Sequence, residues 1–453
     1  MSGGPADEMR AARGIGAPAA TMLVVASMVG TGIFTTAGFL VDALRSPVVV
    51  LAAWAVGGLL ALSGALSYAE LSAALPRNGG EYHLLGRVYH PAVGFAAGII
   101  SLVVGFAAPI AASALAFGHY LAAALPGIPP VPAAVVVVLL FALLHGIDVT
   151  WGSRFQSGVT AAQLVLIAGM AAAGLALGHP SRLLTPAPHS GLVTILSPEF
   201  AVALVFVSFA YSGWNGAAYV AGEVRAPSRT LPLALLVGTV LVMGLYMGLN
   251  VVYLAAAPPS DLAGVVEVAN VAAQRLVGAP AGRVLSGLIA LVLASSVGAM
   301  TMVGSRVYEA MGCDHRALSL LARRSARGAP TVAVAMQAAL ALAMVATSSF
   351  GTLLGFIGFT LSVSAGLTVL GVFVLRLREP RLARPYRTLG YPVTPLLFLA
   401  LSIWMIRHSL VERPVSSIAG VVTIAAALAL YVLVARAEDP EPSSALTEVE
   451  GDP

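Results

Sequence analysis

The chain has 453 residues, 58% hydrophobic and only 10% charged, with 24 basic side chains, 20 acidic ones and a single cysteine, Cys313. Soluble domains carry about 25% charged residues, so there is too little charge here to cover a water-exposed surface of this size. Every basic residue is arginine, which excludes Schiff-base and phosphate-loop lysine chemistry; one cysteine excludes an internal disulfide and a Cys-rich metal site.

A helix needs roughly 20 mainly apolar residues to cross a bilayer. Twelve such runs follow in chain order, numbered here as spans 1 to 12: 16–41, 48–74, 92–123, 131–147, 155–177, 199–222, 231–256, 283–307, 331–347, 352–375, 393–408 and 416–435. Alanine, glycine and valine dominate them, which suits close helix packing where lipid supplies no hydrophobic push between helices. The alternating ten-residue strands of a membrane barrel are not seen. The expected fold is therefore an all-α integral membrane protein of twelve transmembrane helices.

The arginines orient it. Twelve crossings put both termini on one side, and 18 of the 24 arginines fall there; Arg45, Arg182, Arg275, Arg283, Arg407 and Arg413 fall on the other. Positive residues favour the cytoplasm, so both termini are expected inside the cytoplasmic (inner) membrane. The basic balance thus reports topology, and no nucleic-acid partner is expected. Residues 1–14 form a cytoplasmic lead and the acidic tail 436–453 reads as disordered. Between spans 2 and 3, Arg77 to His90 reads as a small surface helix or re-entrant turn.

Two spans are interrupted in the same way. Span 1 contains Ser27-Met28-Val29-Gly30-Thr31-Gly32-Ile33-Phe34, and span 6 contains Phe209-Ala210-Tyr211-Ser212-Gly213-Trp214-Asn215-Gly216. In lipid a broken helix is tolerated only where it lines a cavity or is buried in protein. The breaks open two five-span blocks, 15–177 and 198–376, with spans 11 and 12 (391–435) appended. This points to a LeuT-like five-plus-five inverted repeat whose site lies between discontinuous helices 1 and 6. A half-helix starting near Thr31-Gly32 offers N–H groups and a positive dipole end to a carboxylate, and one ending near Phe209-Ser212 offers free carbonyls to an ammonium. Neither break contains Asp, Glu, Arg or His, so a zwitterion suits the site. A small-residue packing motif is the competing explanation of Gly30-Thr31-Gly32.

At these residues the chain resembles the amino acid–polyamine–organocation (APC) superfamily, close to the L-type amino acid transporter branch and its bacterial relatives. The resemblance rests on Val29 to Phe34, on Ala65 to Leu71 followed by Pro76-Arg77-Asn78-Gly79-Gly80-Glu81-Tyr82, on Phe209 to Asn215 running into Ala221 to Pro232, and on the basic loop Arg381 to Tyr386. It implies that Thr31 and Gly32, with Gly30 beside them, meet a substrate carboxylate. It also implies that carbonyls of Met28, Phe209 and Ser212, next to Gly213, meet the amine. Phe209 falls at the gating aromatic position and Asn215 at a polar position supporting the second break. Gly216 departs from a bulkier residue found in some L-type members, which implies a different side-chain pocket. Many sodium-independent relatives carry a lysine in span 5, where this chain has Gln163, which cannot exchange a proton. Ser295 and Ser296 match sodium-coordinating hydroxyls of distant members, although a serine pair facing a neighbouring helix is the more common explanation.

The expected function is secondary transport of neutral L-amino acids by alternating access, with exchange preferred because no titratable coupling residue is visible. The alternatives are a proton- or sodium-coupled amino acid or amine/polyamine symporter and a non-transporting amino acid receptor on the same fold. No nucleophile–base pair or metal spacing marks an enzyme. The expectation includes no cofactor, no metal and no disulfide-linked partner, with a monomer or homodimer in lipid. Glu70 reads as an interfacial carboxylate, Glu223, Arg225 and Arg229 as a gate or a solvated loop, and His119 and His145 as interfacial histidines.

Overall fold

The computed structural model describes residues 14–147, 152–184, 192–325 and 328–438; most of the N-terminal lead and of the acidic tail lies outside them. Among the described residues the regular structure is helical, apart from one isolated bridge between Ile15 and Val224. Each apolar run coincides with a helix or a helix pair. Among the described residues, eight helices are long and apolar enough to cross a membrane, and the bent pair Ala17–Met28 and Thr31–Leu44 passes the same test taken together. Spans 4, 5 and 9 contain shorter apolar helices, Pro130–Gly146, Val165–Leu177 and Thr331–Thr347.

The helix starts follow from local chemistry. Proline occupies the first turn at Pro18, Pro47, Pro91 and Pro227, where its missing N–H costs nothing because that donor has no intrahelical acceptor. Ser197 and Ser349 accept from the N–H groups of Phe200 and Thr352, capping spans 6 and 10. Span 3 runs Pro91–Ala124 but widens into a π turn at Ser101–Ala107. Pro109 lies just beyond; it cannot donate to Gly105, and the wider turn lets the helix continue past the lost bond.

Span 3 is the most buried candidate crossing, while spans 11 (Val393–Glu412) and 12 (Pro414–Glu438) are the least buried. The core is aromatic: Trp54, Tyr68, Tyr120, Tyr211, Tyr246 and Tyr253 are fully buried. Exposed leucines and valines such as Leu143, Val165, Leu291 and Val422 lie on the outer helices, as a lipid-facing surface requires.

The segment between spans 2 and 3, expected as a small surface helix or re-entrant turn, contains a short helix with a buried face. Gly80–Val88 is helical, but Glu81, Leu84, Leu85 and Val88 are buried. Gly79 and Gly80 take φ of +114° and +52°, which turns the chain abruptly into this helix. The turn is tied down from outside: Asn78 accepts from the Gly222 N–H and donates to Glu223, and the Gly79 N–H donates to the Tyr219 carbonyl.

Candidate functional site

Span 1 bends by 43° at Val29-Gly30. The second half begins at Thr31 without a side-chain cap, so the N–H groups of Thr31, Gly32 and Ile33 have no acceptor inside the helix. Span 6 stops at Tyr211, passes through Ser212 and Gly213 (φ +97°), and resumes as the 3-10 helix Gly216–Glu223. The two breaks lie against each other. A Cβ at Gly213 would run into the Ser27 carbonyl, and one at Gly216 would come within 2.7 Å of the Ser27 hydroxyl.

The two glycines of the first break differ. A Cβ at Gly32 would overlap Cα of Ala210, so Gly32 is where the second half of span 1 presses on span 6, whereas nothing lies within 4 Å of a Cβ at Gly30. Gly30 faces the open space at the break. Thr31 is buried and shares a 2.5 Å hydrogen bond with Ser113 of span 3. Phe209 is buried. Ser212 is half-buried.

The carbonyls freed by the breaks are partly claimed. Tyr246 of span 7 (Pro227–Ala256) donates to the Met28 carbonyl at 2.6 Å, and Gln163 donates through Nε2 to the Val29 carbonyl at 3.0 Å. Phe209 already accepts from the Ser212 N–H at 3.0 Å. Met28 and Phe209 therefore keep one lone pair each for a further donor.

The breaks themselves carry no charge, but a carboxylate reaches them from elsewhere. Glu81 is 3% exposed. Its Oε1 accepts from the Tyr68 hydroxyl at 2.5 Å and from Asn215 Nδ2 at 3.3 Å, and its Oε2 accepts from the Ser364 hydroxyl at 2.6 Å. Burial pushes the carboxyl above the ordinary glutamate range, against the pull of the Ser364, Tyr68 and Asn215 donors.

The family model for amino acid permease matches residues 15–436. The chain belongs to the amino acid permease family. Its relatives are transporters, not enzymes, and it resembles the L-type branch of the APC superfamily. It is 29% identical over 430 residues to Large neutral amino acids transporter small subunit 2 of Mus musculus, covering 92% of this chain and 80% of that protein. It is 27% identical over 402 residues to b(0,+)-type amino acid transporter 1 of Homo sapiens, covering 86% and 81%. Asc-type amino acid transporter 1 of Mus musculus is 27% identical over 432 residues, covering 92% and 80%.

Further polar contacts of this permease were hidden from sequence reading. Glu70 is not a solvated interfacial carboxylate: it is 1% exposed and takes two bonds from Arg376, at 2.8 and 2.6 Å. The N–H and hydroxyl of Thr388 add bonds of 2.7 and 2.8 Å. Arg376 also stacks over the Tyr391 ring at 3.7 Å. This joins span 2 (Pro47–Ala74), span 10 (Phe350–Arg378) and the connection to span 11 on the face that carries the termini. Glu223 and Arg225 are exposed, consistent with a solvated loop. Ser296 in span 8 (Ala279–Asp314) bonds back to the Val292 carbonyl of its own helix, and Ser295 is buried. Trp214 packs edge-on against Tyr68.

On the opposite face a cavity of 340 Å³ is lined by Phe39, His119, Phe206, Phe350, Thr352 and Arg413 among others. Most of its lining comes from the ends and connections after spans 1, 3, 7, 9 and 11, and none of it from the two breaks. Glu70, Glu81 and the Asn78 loop tie spans 2, 6 and 10 together. Glu81 had one sequence signal, its place in the Pro76–Tyr82 block; its neighbours were invisible because they lie on spans 2, 6 and 10.

Proposed function

We propose that this permease is a secondary active transporter of neutral L-amino acids, working by alternating access and by exchange of one amino acid for another. The observation that carries the reading is the crossing of two uncharged breaks, one presenting helix N–H groups at Thr31 and Gly32, the other presenting carbonyls near Phe209 and Ser212. A carboxylate on the first and an ammonium on the second satisfy a zwitterion with backbone alone. Gly30, Gly213 and Asn215 complete the site, and Phe209 closes it from the extracellular side. Large neutral amino acids, named for the mouse relative, fit a site with no charged side chain in its breaks.

The architecture of the proposal is twelve crossings, a five-plus-five inverted repeat over 15–177 and 198–376, and both termini in the cytoplasm of an inner-membrane protein. Gln163 holds the first break without a titratable proton, which supports exchange over proton coupling at that position. The Ser296 hydroxyl donates to the Val292 carbonyl of its own helix, the ordinary arrangement of a serine inside a helix. The sole cysteine, Cys313, lies in the last turn of the span 8 helix on the proposed cytoplasmic side, away from any extracellular disulfide-linked partner. The test is uptake of labelled leucine into proteoliposomes. Preloading with unlabelled neutral amino acid is expected to accelerate uptake with no ion gradient. Indifference to preloading, with uptake driven by a sodium or proton gradient, would sink the exchange reading.

A further inference from the structure

We propose that Glu81 is a proton-binding site that latches the broken sixth helix: ionised, it holds Asn215 and keeps the termini face closed; protonated, it releases Asn215 and lets that face open. The proposal rests on the transport reading above and adds a control to it.

Glu81 sits in the first turn of Gly80–Val88 and touches three other elements through one carboxyl group. Tyr68 belongs to span 2, Ser364 to span 10 and Asn215 to the turn immediately after the span 6 break. No arginine or histidine is hydrogen-bonded or ion-paired to it among the described residues, so its charge is held by neutral donors alone. That is an arrangement in which the ionised and neutral forms compete closely. Desolvation disfavours the anion, while three converging donors favour it. Glu70, by contrast, is ion-paired with Arg376.

The three partners respond differently to a proton. The hydroxyls of Tyr68 and Ser364 can turn and accept, so both remain satisfied when Glu81 is neutral. The Asn215 Nδ2 group can only donate. A proton on Oε1 displaces it, and a proton on Oε2 leaves it a neutral bond about half as strong as the charged one. The tie at Asn215 is thus the one a proton weakens or removes, while the other two are kept. Asn215 lies two residues from Gly213, the positive-φ residue at which span 6 breaks.

Other titratable groups around the site have contacts of their own, beginning with Tyr82 on the same helix, which donates to Asp314. Tyr219 of the 3-10 segment packs on Gly80. His83, on the same short helix, is held below the ordinary histidine value by burial and by Arg77 and Arg87. Arg87 is paired with Glu379 of the span 10 end, Glu223 with Asn78, and Arg376 with Glu70. The neighbouring helix Pro91–Ile100 has no titratable side chain.

The test measures leucine-for-leucine exchange in proteoliposomes with equal pH on both sides, from about pH 4.5 to about pH 8. Wild type is expected to run roughly tenfold faster at the acid end, the loss of one charged hydrogen bond expressed as a rate. E81Q, which mimics the protonated form, is expected to run at the fast rate throughout. S364A, which removes a donor from the anion, should move the wild-type midpoint to higher pH. Infrared difference spectra of the purified protein should show a carboxylic acid C=O band growing as pH falls, absent from E81Q. A wild-type pH profile retained in E81Q, or a spectrum with no E81Q-sensitive band, overturns the proposal even if E81Q is poorly folded. A titrating band with no exchange by any variant at any pH refutes the transport reading and leaves the proton site standing.

Discussion

The two glycines of the first break make opposite demands, and substituting each with alanine separates packing from function. At Gly32 a methyl group meets Cα of Ala210, a backbone atom that cannot rotate away, so spans 1 and 6 must move apart. Overpacking of this kind costs about 1–3 kcal/mol. The better helix propensity of alanine returns at most about 1 kcal/mol, so G32A should be net destabilising by up to about 2 kcal/mol. At Gly30 the methyl enters free space and φ is −145°, so G30A should change stability by less than about 0.5 kcal/mol. That free space is where the proposed substrate carboxylate approaches, so G30A should weaken binding by roughly tenfold, about 1.4 kcal/mol. Thermal unfolding of the purified protein, with and without leucine, reads both effects, because a ligand of the native state raises the midpoint in proportion to its affinity. A G30A protein with wild-type stabilisation by leucine would place the substrate elsewhere. A G32A protein as stable as wild type would mean that the helix contact is not a tight one.

Three further substitutions probe the polar frame. Y246F leaves the buried Met28 carbonyl without its partner and should cost about 1–3 kcal/mol in thermal unfolding, together with a slower exchange rate. E70A strands Arg376 and should cost about 3–5 kcal/mol; the E70A/R376A double variant should lose less than the sum of the singles, and strict additivity would show the pair to be uncoupled. Q163L removes one neutral hydrogen bond to Val29, an expected loss of about 0.5–1.5 kcal/mol, and should slow exchange without introducing a dependence on sodium.

Much of this permease was readable from its sequence because the deciding properties are local. Length and apolarity of a run specify a crossing helix, and each of the twelve runs coincides with helical structure. Glycine and serine in mid-run specify a weak ladder, and both breaks fall at the residues where the small side chains cluster. The arginine-rich loops and the repeated motif blocks are likewise linear features. Partnership is not a linear property. Glu81 lies in a polar stretch that reads as surface, yet Tyr68, Asn215 and Ser364 converge on it from positions 13, 134 and 283 residues away. Glu70 meets Arg376 across 306 residues, and Met28 meets Tyr246 across 218. Composition alone could say that the breaks carry no charge. Only the packing of spans 2, 6 and 10 around one short helix could bring a carboxylate to them, because burial and hydrogen-bond partners depend on what the rest of the chain places alongside.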